Sequence, residues 1–127
     1  MKATLIAMLI VAFLAAGICV FSVLMIGHVT DEMESMRTEV LDLADAGEMS
    51  GAKERLKQMA EMWSRHEGTL AVLASHDDLH EVTELLIEGD ANLKADDQDD
   101  FERSMALLGE ALRHLREEEK LSFSNVL

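Results

Sequence analysis

Two unlike hydrophobic patterns follow one another along the chain. Residues 3–26 contain no charged side chain and read ATLIAMLIVAFLAAGICVFSVLMI. As a helix rising 1.5 Å per residue, this segment is about 36 Å long, enough to cross the roughly 30 Å hydrocarbon core of a bilayer. A helix that is apolar on every side suits lipid better than the surface of a soluble domain. We therefore predict a transmembrane helix whose partner along residues 3–26 is the lipid bilayer.

After this segment, apolar residues recur mostly at steps of four and three, the spacing of one helix face. Gly47 is a predicted helix stop, and the acidic pair Asp77–Asp78 and the run at residues 96–100 suit helix starts. Four stripes result: Val29, Met33, Met36, Val40, Leu43; Ala52, Leu56, Met59, Trp63, His66; Leu79, Val82, Leu86, Leu93; and Phe101, Met105, Leu108, Leu112, Leu115.

The predicted fold class is all-α, with one N-terminal transmembrane helix followed by a small, mostly antiparallel four-helix bundle. The predicted domains are a transmembrane signal-anchor at residues 1–28, an acidic four-helix domain at 29–120 and a C-terminal tail at 121–127. A shift of 49 residues also lays the second stripe over the fourth. This match has two interpretations, a repeated helical hairpin or the similarity of any two amphipathic helices, and we favour the second.

Charge indicates the class and location of the protein. The chain of 127 residues carries 25 acidic and 11 basic residues, a net charge of −14, which argues against nucleic acid as a partner. Lys2 is the basic residue before the apolar segment, so the positive-inside rule predicts a cytoplasmic N-terminus and an extracytoplasmic C-terminal domain in the cell membrane. The apolar run exceeds the roughly 7–15 residues of a cleavable signal, which favours an uncleaved anchor.

Three histidines form the candidate metal site. His76 and His80 are four residues apart and would share a helix face, and His66 could approach from the preceding helix. The pattern HExxH is absent at both His-Glu pairs, and no nucleophile motif is present. We expect a protein that is not an enzyme and has no cofactor, with a divalent transition metal on His66, His76 and His80 as the alternative.

Trp63 and the C-terminal residues are the candidate interaction sites. Trp63 is the one Trp of the chain and lies on a stripe, so we expect a core residue, with a binding hot spot as the alternative. The ending LSFSNVL could dock a partner through Phe123 and Leu127, or pack back onto the bundle. The partner considered is an integral membrane protein or a second copy of the chain.

The order of these features resembles a known family. The chain has an N-terminal span, a hairpin around Asp45-Ala46-Gly47, Trp63, the run His76-Asp77-Asp78-Leu79 and the ending LSFSNVL. This order is similar to the small membrane-anchored bacterial domain-of-unknown-function family 4363, although this chain is more acidic and poorer in Lys. The resemblance implies an anchored helical accessory protein from a Gram-positive bacterium, and it implies no catalytic residue.

Overall fold

The chain folds into four helices. A computed structural model describes the backbone of residues 1–126 and the side chains of residues 1–121. The helices are α1 at Lys2–Asp45, α2 at Met49–Leu73, α3 at His76–Lys94 and α4 at Gln98–Val126. The described part of the chain has no strand, so the protein is all-α. The predicted interaction residues Phe123 and Leu127 lie outside the described side chains.

The first helix corrects one expectation from the sequence. A separate transmembrane helix and four domain helices were expected, but residues 2–45 form one helix of 44 residues. The chain contains no Pro, and Gly27 costs only about 1 kcal/mol inside a helix, which does not end it. The hydroxyls of Ser22 and Thr30 donate to the carbonyls of Ile18 and Ile26, at 2.9 and 2.7 Å, so these polar groups are satisfied within the helix.

Burial divides α1 into two parts. The side chains of residues 1–18 are all exposed, whereas Ser22 and Ile26 begin a buried face that continues to Ala44. Within the described residues, α1 is the one helix long and apolar enough to cross a membrane by length and composition. The buried face begins inside the predicted apolar segment, because the 3.6-residue period of the helix extends the stripe from Val29 back to Ile26 and Ser22.

The four helices enclose one core. The helix α1 packs on α2 and α4, and α3 packs on α2 and α4. Trp63 and Phe101 are the largest fully buried side chains. The other large buried residues are Ile26, Met33, Leu56, Met59, Leu70, Leu79, Leu93, Met105, Leu108 and Leu112. The stripes read from the sequence therefore line a shared helical core, with three-residue and two-residue connections between the helices.

Two turns share one geometry. After α1, Gly47 has φ +79°, and the N–H of Glu48 donates to the carbonyl of Leu43 at 2.9 Å. After α3, Asp96 has φ +61°, and the N–H of Asp97 donates to the carbonyl of Asn92 at 3.0 Å. Both are helix C-terminal turns closed by a residue in the left-handed region, and they lie 49 residues apart.

The same shift of 49 residues relates the burial patterns. Five of the six buried residues of α2 have buried counterparts in α4, at Phe101, Met105, Leu108, Ala111 and Leu112. The buried α1 residues Thr30, Met33, Met36, Val40 and Ala44 correspond to Leu79, Val82, Leu85, Gly89 and Leu93 of α3. The molecule is thus built from two similar hairpins, α1–α2 and α3–α4, which is the interpretation that the stripes alone did not favour.

The end of α4 differs from the expected domain boundary. A tail was expected from residue 121, but the backbone stays helical through Val126. Likewise, α1 has no break between residues 28 and 29, where the signal-anchor was expected to end. The predicted boundaries therefore fall inside helices.

Candidate functional site

The three predicted histidine ligands lie on two helices, His66 on α2 and His76 and His80 on α3. The rings of His76 and His80 stack on α3, with their centroids 6.2 Å apart. His80 Nε2 lies 3.0 Å from a carboxylate oxygen of Glu84, and on α2 the Nδ1 of His66 lies 2.9 Å from the carbonyl oxygen of Met62. Among the described residues, one group of potential metal ligands has all its donor atoms within 4.8 Å of one another. This group does not include His66, His76 or His80.

That group consists of Asp78, His114 and Glu118. Asp78 lies in the first turn of α3, and His114 and Glu118 lie one turn apart on α4. His114 Nε2 is 3.1 Å from Glu118 Oε1 and 3.7 Å from Asp78 Oδ1. Asp78 is the most buried of the three, with 15% of its side chain exposed, against 57% for His114 and 48% for Glu118. The sequence predicts Asp77 and Asp78 at a helix start, and no sequence pattern connects them with His114.

The two carboxyl groups of this group influence each other. The pKa of Glu118 is raised above its ordinary value because its carboxyl hydrogen-bonds to Asp78, is partly desolvated and lies near the negative charge of Asp78. The pKa of the neighbouring Glu119 is also raised, here by burial. The group therefore brings two carboxylates and one imidazole together across α3 and α4.

A groove lies between α2 and α3. Its volume is about 690 Å³, and its apolar floor is formed by Leu56, Trp63 and Leu86. Ile87 lies on its wall with 66% of its surface exposed. The groove follows α2 from Ser50 to Glu67, which corresponds to about 26 Å of helix.

Trp63 connects the groove with the core. It is 2% exposed, and its indole N–H donates to Thr83 Oγ1 at 2.9 Å. Thr83 Oγ1 in turn lies 3.2 Å from the carbonyl oxygen of Leu79 and 3.4 Å from Glu67 Oε1. The ring is thus held as a rigid part of the groove floor, in addition to its place in the core.

The groove has a basic end. Lys53 and Lys57 lie one turn apart near the start of α2, and Lys94 lies near the end of α3. Lys94 pairs with Asp90 at 2.8 Å, whereas the ion pairs of the described residues include neither Lys53 nor Lys57. Together with Glu54 and Glu67, the lining carries as many acids as lysines. It is therefore far less acidic than the chain as a whole, whose net charge is −14.

The equivalent groove between α1 and α4 is occupied by an arginine. Arg37, at the position equivalent to Leu86, has 17% of its side chain exposed. Its guanidinium donates to Glu34 and to the carbonyl of Met105, the latter at 3.2 Å. A Cβ on Gly109 would lie 2.9 Å from the Arg37 Cζ, so the absence of a side chain at Gly109 makes room for the guanidinium. The hydrogen bonds to Glu34 raise the pKa of Arg37 further above its ordinary value.

Comparison with known protein families identifies the family of the chain. A family model described as Domain of unknown function (DUF4363) matches residues 20–126. The chain belongs to this family. The match begins where α1 starts to enter the packed core and covers all of α2, α3 and α4. No curated protein and no solved structure matches the chain. The resemblance noted in the sequence is thereby confirmed.

Proposed function

We propose that this DUF4363 member is a noncatalytic, membrane-anchored interaction protein with an extracytoplasmic helical domain. The observation that carries the proposal is the continuity of α1, which is exposed and apolar in its first part and forms a wall of the core in its second part. A continuous helix transmits position and orientation, so the domain would stand at a fixed height and angle on its membrane anchor. Lys2 before the span and the scarcity of Lys and Arg just after it, where residues 27–46 contain only Arg37, support a cytoplasmic N-terminus.

Side-chain contacts support an antiparallel four-helix bundle. Between α1 and α4, the early residue Asp31 contacts the late residue Arg116, and Arg37 contacts the earlier Met105. Between α3 and α4, Asp78 contacts His114, and Asn92 donates to Ser104. Contacts that run in opposite order along two helices are those of antiparallel neighbours, as the short connections also favour.

The groove between α2 and α3 is the proposed binding surface. Its occupant is an amphipathic helix of an integral membrane protein, with apolar residues against Ile87 and Trp63 and acidic residues near Lys53 and Lys57. The length of the groove corresponds to four or five helical turns, and grooves with an apolar floor bind helices through residues spaced three and four apart. Its charge supports this choice, because Lys53 and Lys57, which form no ion pair among the described residues, are complementary to acidic side chains.

A photo-crosslinking residue at Ile87 tests this assignment in native membranes. We expect one discrete adduct with a membrane protein, and its loss when Lys53 and Lys57 are both changed to Glu. The matched control is the same crosslinker at Leu107 on α4, which is also exposed but does not line the groove. Identical adducts at both positions, or an adduct at Ile87 that persists after charge reversal, would contradict the proposed partner.

The orientation of the domain has a separate test. In a Cys19→Ser background, Ala46→Cys places an exposed thiol in the turn between α1 and α2, outside the α2–α3 groove and 20 residues beyond the apolar segment. A membrane-impermeant maleimide should label this thiol in intact cells as fully as in opened cells. Labelling only after the cells are opened would place the domain in the cytoplasm.

A further inference from the structure

The group formed by Asp78, His114 and Glu118 has the chemistry and spacing of a metal site. Ligands bound to zinc at 2.0–2.1 Å in a tetrahedral arrangement are about 3.3 Å apart. The two donor distances from His114 Nε2, 3.1 and 3.7 Å, bracket this spacing. The carboxylate oxygens of Asp78 and Glu118 also lie within 4.8 Å of each other. Small side-chain rotations therefore suffice to direct all three donors at one ion.

The local charge favours a divalent cation. The ion pairs of the described residues connect Asp78 and Glu118 with His114, and with no Lys or Arg. Most of the other ion pairs among the described residues, such as Glu39 with Arg55 between α1 and α2, contain a permanent positive charge. With a neutral imidazole, the group carries two negative charges, which one divalent ion neutralises. An imidazole among the ligands favours a transition metal such as zinc over calcium or magnesium.

The hairpin fold alone does not require these three residues. The equivalent positions in the α1–α2 hairpin, 49 residues earlier, hold Val29, Arg65 and Thr69. These three residues lie on the equivalent pair of helices, and they provide neither a carboxylate nor an imidazole. The ligand set is thus a feature of the second hairpin and not a consequence of its packing.

We infer that Asp78, His114 and Glu118 bind one divalent transition metal, of which Zn²⁺ is the probe of choice. Three protein ligands from two helices leave a fourth position for water, which is typical of accessible zinc sites. The ion would join the first turn of α3 to α4, beside a cavity of about 430 Å³ that the α2–α3 turn also lines. This site goes beyond the proposed function, since it lies on α3 and α4 and not in the α2–α3 groove.

Metal binding by the full-length protein in mild detergent tests the inference. After treatment with a chelator, the protein is titrated with Zn²⁺ alone and, separately, with Co²⁺, whose visible absorption reports a tetrahedral site with a nitrogen ligand. We expect one ion per chain and a rise in Tm on Zn²⁺ addition, because a ligand that binds the folded state stabilises it. A tenfold excess of Mg²⁺ should leave the Co²⁺ spectrum unchanged.

Matched histidine variants identify the ligands. His114→Gln should weaken Zn²⁺ binding by more than about tenfold and abolish the Co²⁺ spectrum. His80→Gln is the control, because His80 also pairs with a glutamate one turn away and belongs to the group expected from sequence. Glu118→Gln, at an exposed position, repeats the test if His114→Gln lowers helix content. Substoichiometric binding by the wild type, wild-type Zn²⁺ affinity in both His114→Gln and Glu118→Gln, or loss of binding in His80→Gln would overturn the assignment.

Discussion

The α1–α4 and α2–α3 grooves are related by the shift of 49 residues, since each lies between a helix of one hairpin and a helix of the other, yet their central side chains differ. In the first, Arg37 lies over Gly109 and donates to the carbonyl of Met105. In the second, the equivalent residues are Leu86 and Ala60, and a volume of about 690 Å³ stays open beside them, against about 520 Å³ in the first.

One helical register thus produces two surfaces of different chemistry. The turns and the buried faces are alike in the two hairpins because both are determined by helix period and by one left-handed residue after the first helix. The grooves differ in their lining, since the first contains the guanidinium of Arg37 where the second has the apolar side chain of Leu86. A surface without such an occupant is available to a partner.

The largest expected effect is in the core beneath the open groove. Trp63→Ala should lower the free energy of unfolding by about 3–5 kcal/mol, because it removes a fully buried ring and leaves a cavity. The equivalent change Leu112→Ala in α4 should cost about 2–5 kcal/mol. Both are measured by denaturant unfolding of the full-length protein in detergent, followed by circular dichroism. Unchanged unfolding of Trp63→Ala would show that the ring is not a core residue.

A smaller effect is expected where Arg37 occupies the first groove. Arg37→Leu, which copies the residue at the equivalent position of α3, should cost about 1–2 kcal/mol, because the hydrogen bonds to Glu34 and Met105 are lost while part of the guanidinium is already solvated. Thermal unfolding with and without added salt measures it. An increase in stability would mean that Arg37 stabilises this groove less than a leucine does.

Substitution of Gly109 tests directly whether Arg37 packs on this glycine. In the wild type, Gly109→Ala should destabilise the protein, because the new Cβ lies 2.9 Å from the Arg37 Cζ. In the Arg37→Leu background, the same change should be stabilising, since Ala favours a helix interior over Gly by about 1 kcal/mol. The double-mutant cycle measures this change of sign, and simple additivity of the two substitutions would refute direct packing of Arg37 on Gly109.

The two turns should respond in opposite directions. Gly47→Ala should cost about 1 kcal/mol, because a side chain is strained at φ +79° although space is open around it. Asp96→Gly should stabilise the protein by several tenths of a kcal/mol, since it removes the strain at φ +61° from the equivalent turn. Tm shifts of the two variants provide the test, and shifts of the same sign would show that the turns are not equivalent.

The smallest effect on stability is expected at the exposed wall of the open groove. Ile87→Ser should change the free energy of unfolding by less than about 0.5 kcal/mol, because 66% of the residue is exposed. The adjacent Leu86→Ala, at a buried position, should cost about 2–5 kcal/mol. Paired thermal melts measure both, and a cost at Ile87 comparable to that at Leu86 would mean that the groove is closed in solution.

The sequence predicted the helices well because their signals are local. Stripes such as Val29, Met33 and Met36 identify a buried face by period alone, and Gly47 marks a helix end by its conformational freedom. The continuity of α1 was missed, because the change from an all-apolar to an amphipathic pattern was interpreted as a boundary. A change of environment along a helix does not interrupt its backbone hydrogen bonds.

The candidate sites, unlike the helices, could not be predicted from local signals. His76 and His80 share a helix face, which sequence spacing detects, but nothing in the sequence connects Asp78 with His114, 36 residues later. The open groove was equally hidden, since it depends on which of two equivalent side chains occupies the space between helices. The sequence signal for this difference between the grooves was the 49-residue repeat, which makes Leu86 the counterpart of Arg37.

By itself, the sequence determined the all-helical class, the apolar N-terminal segment, the acidic character and the family, because these depend on composition, on local periodicity and on the order of motifs. The tertiary structure alone decided that the apolar segment and the first domain helix are one helix, that Arg37 occupies one groove while its counterpart stays open, and that Asp78 meets His114 and Glu118. Those features depend on the register between helices, which is set by how complete side chains pack and not by the spacing of residues along one helix.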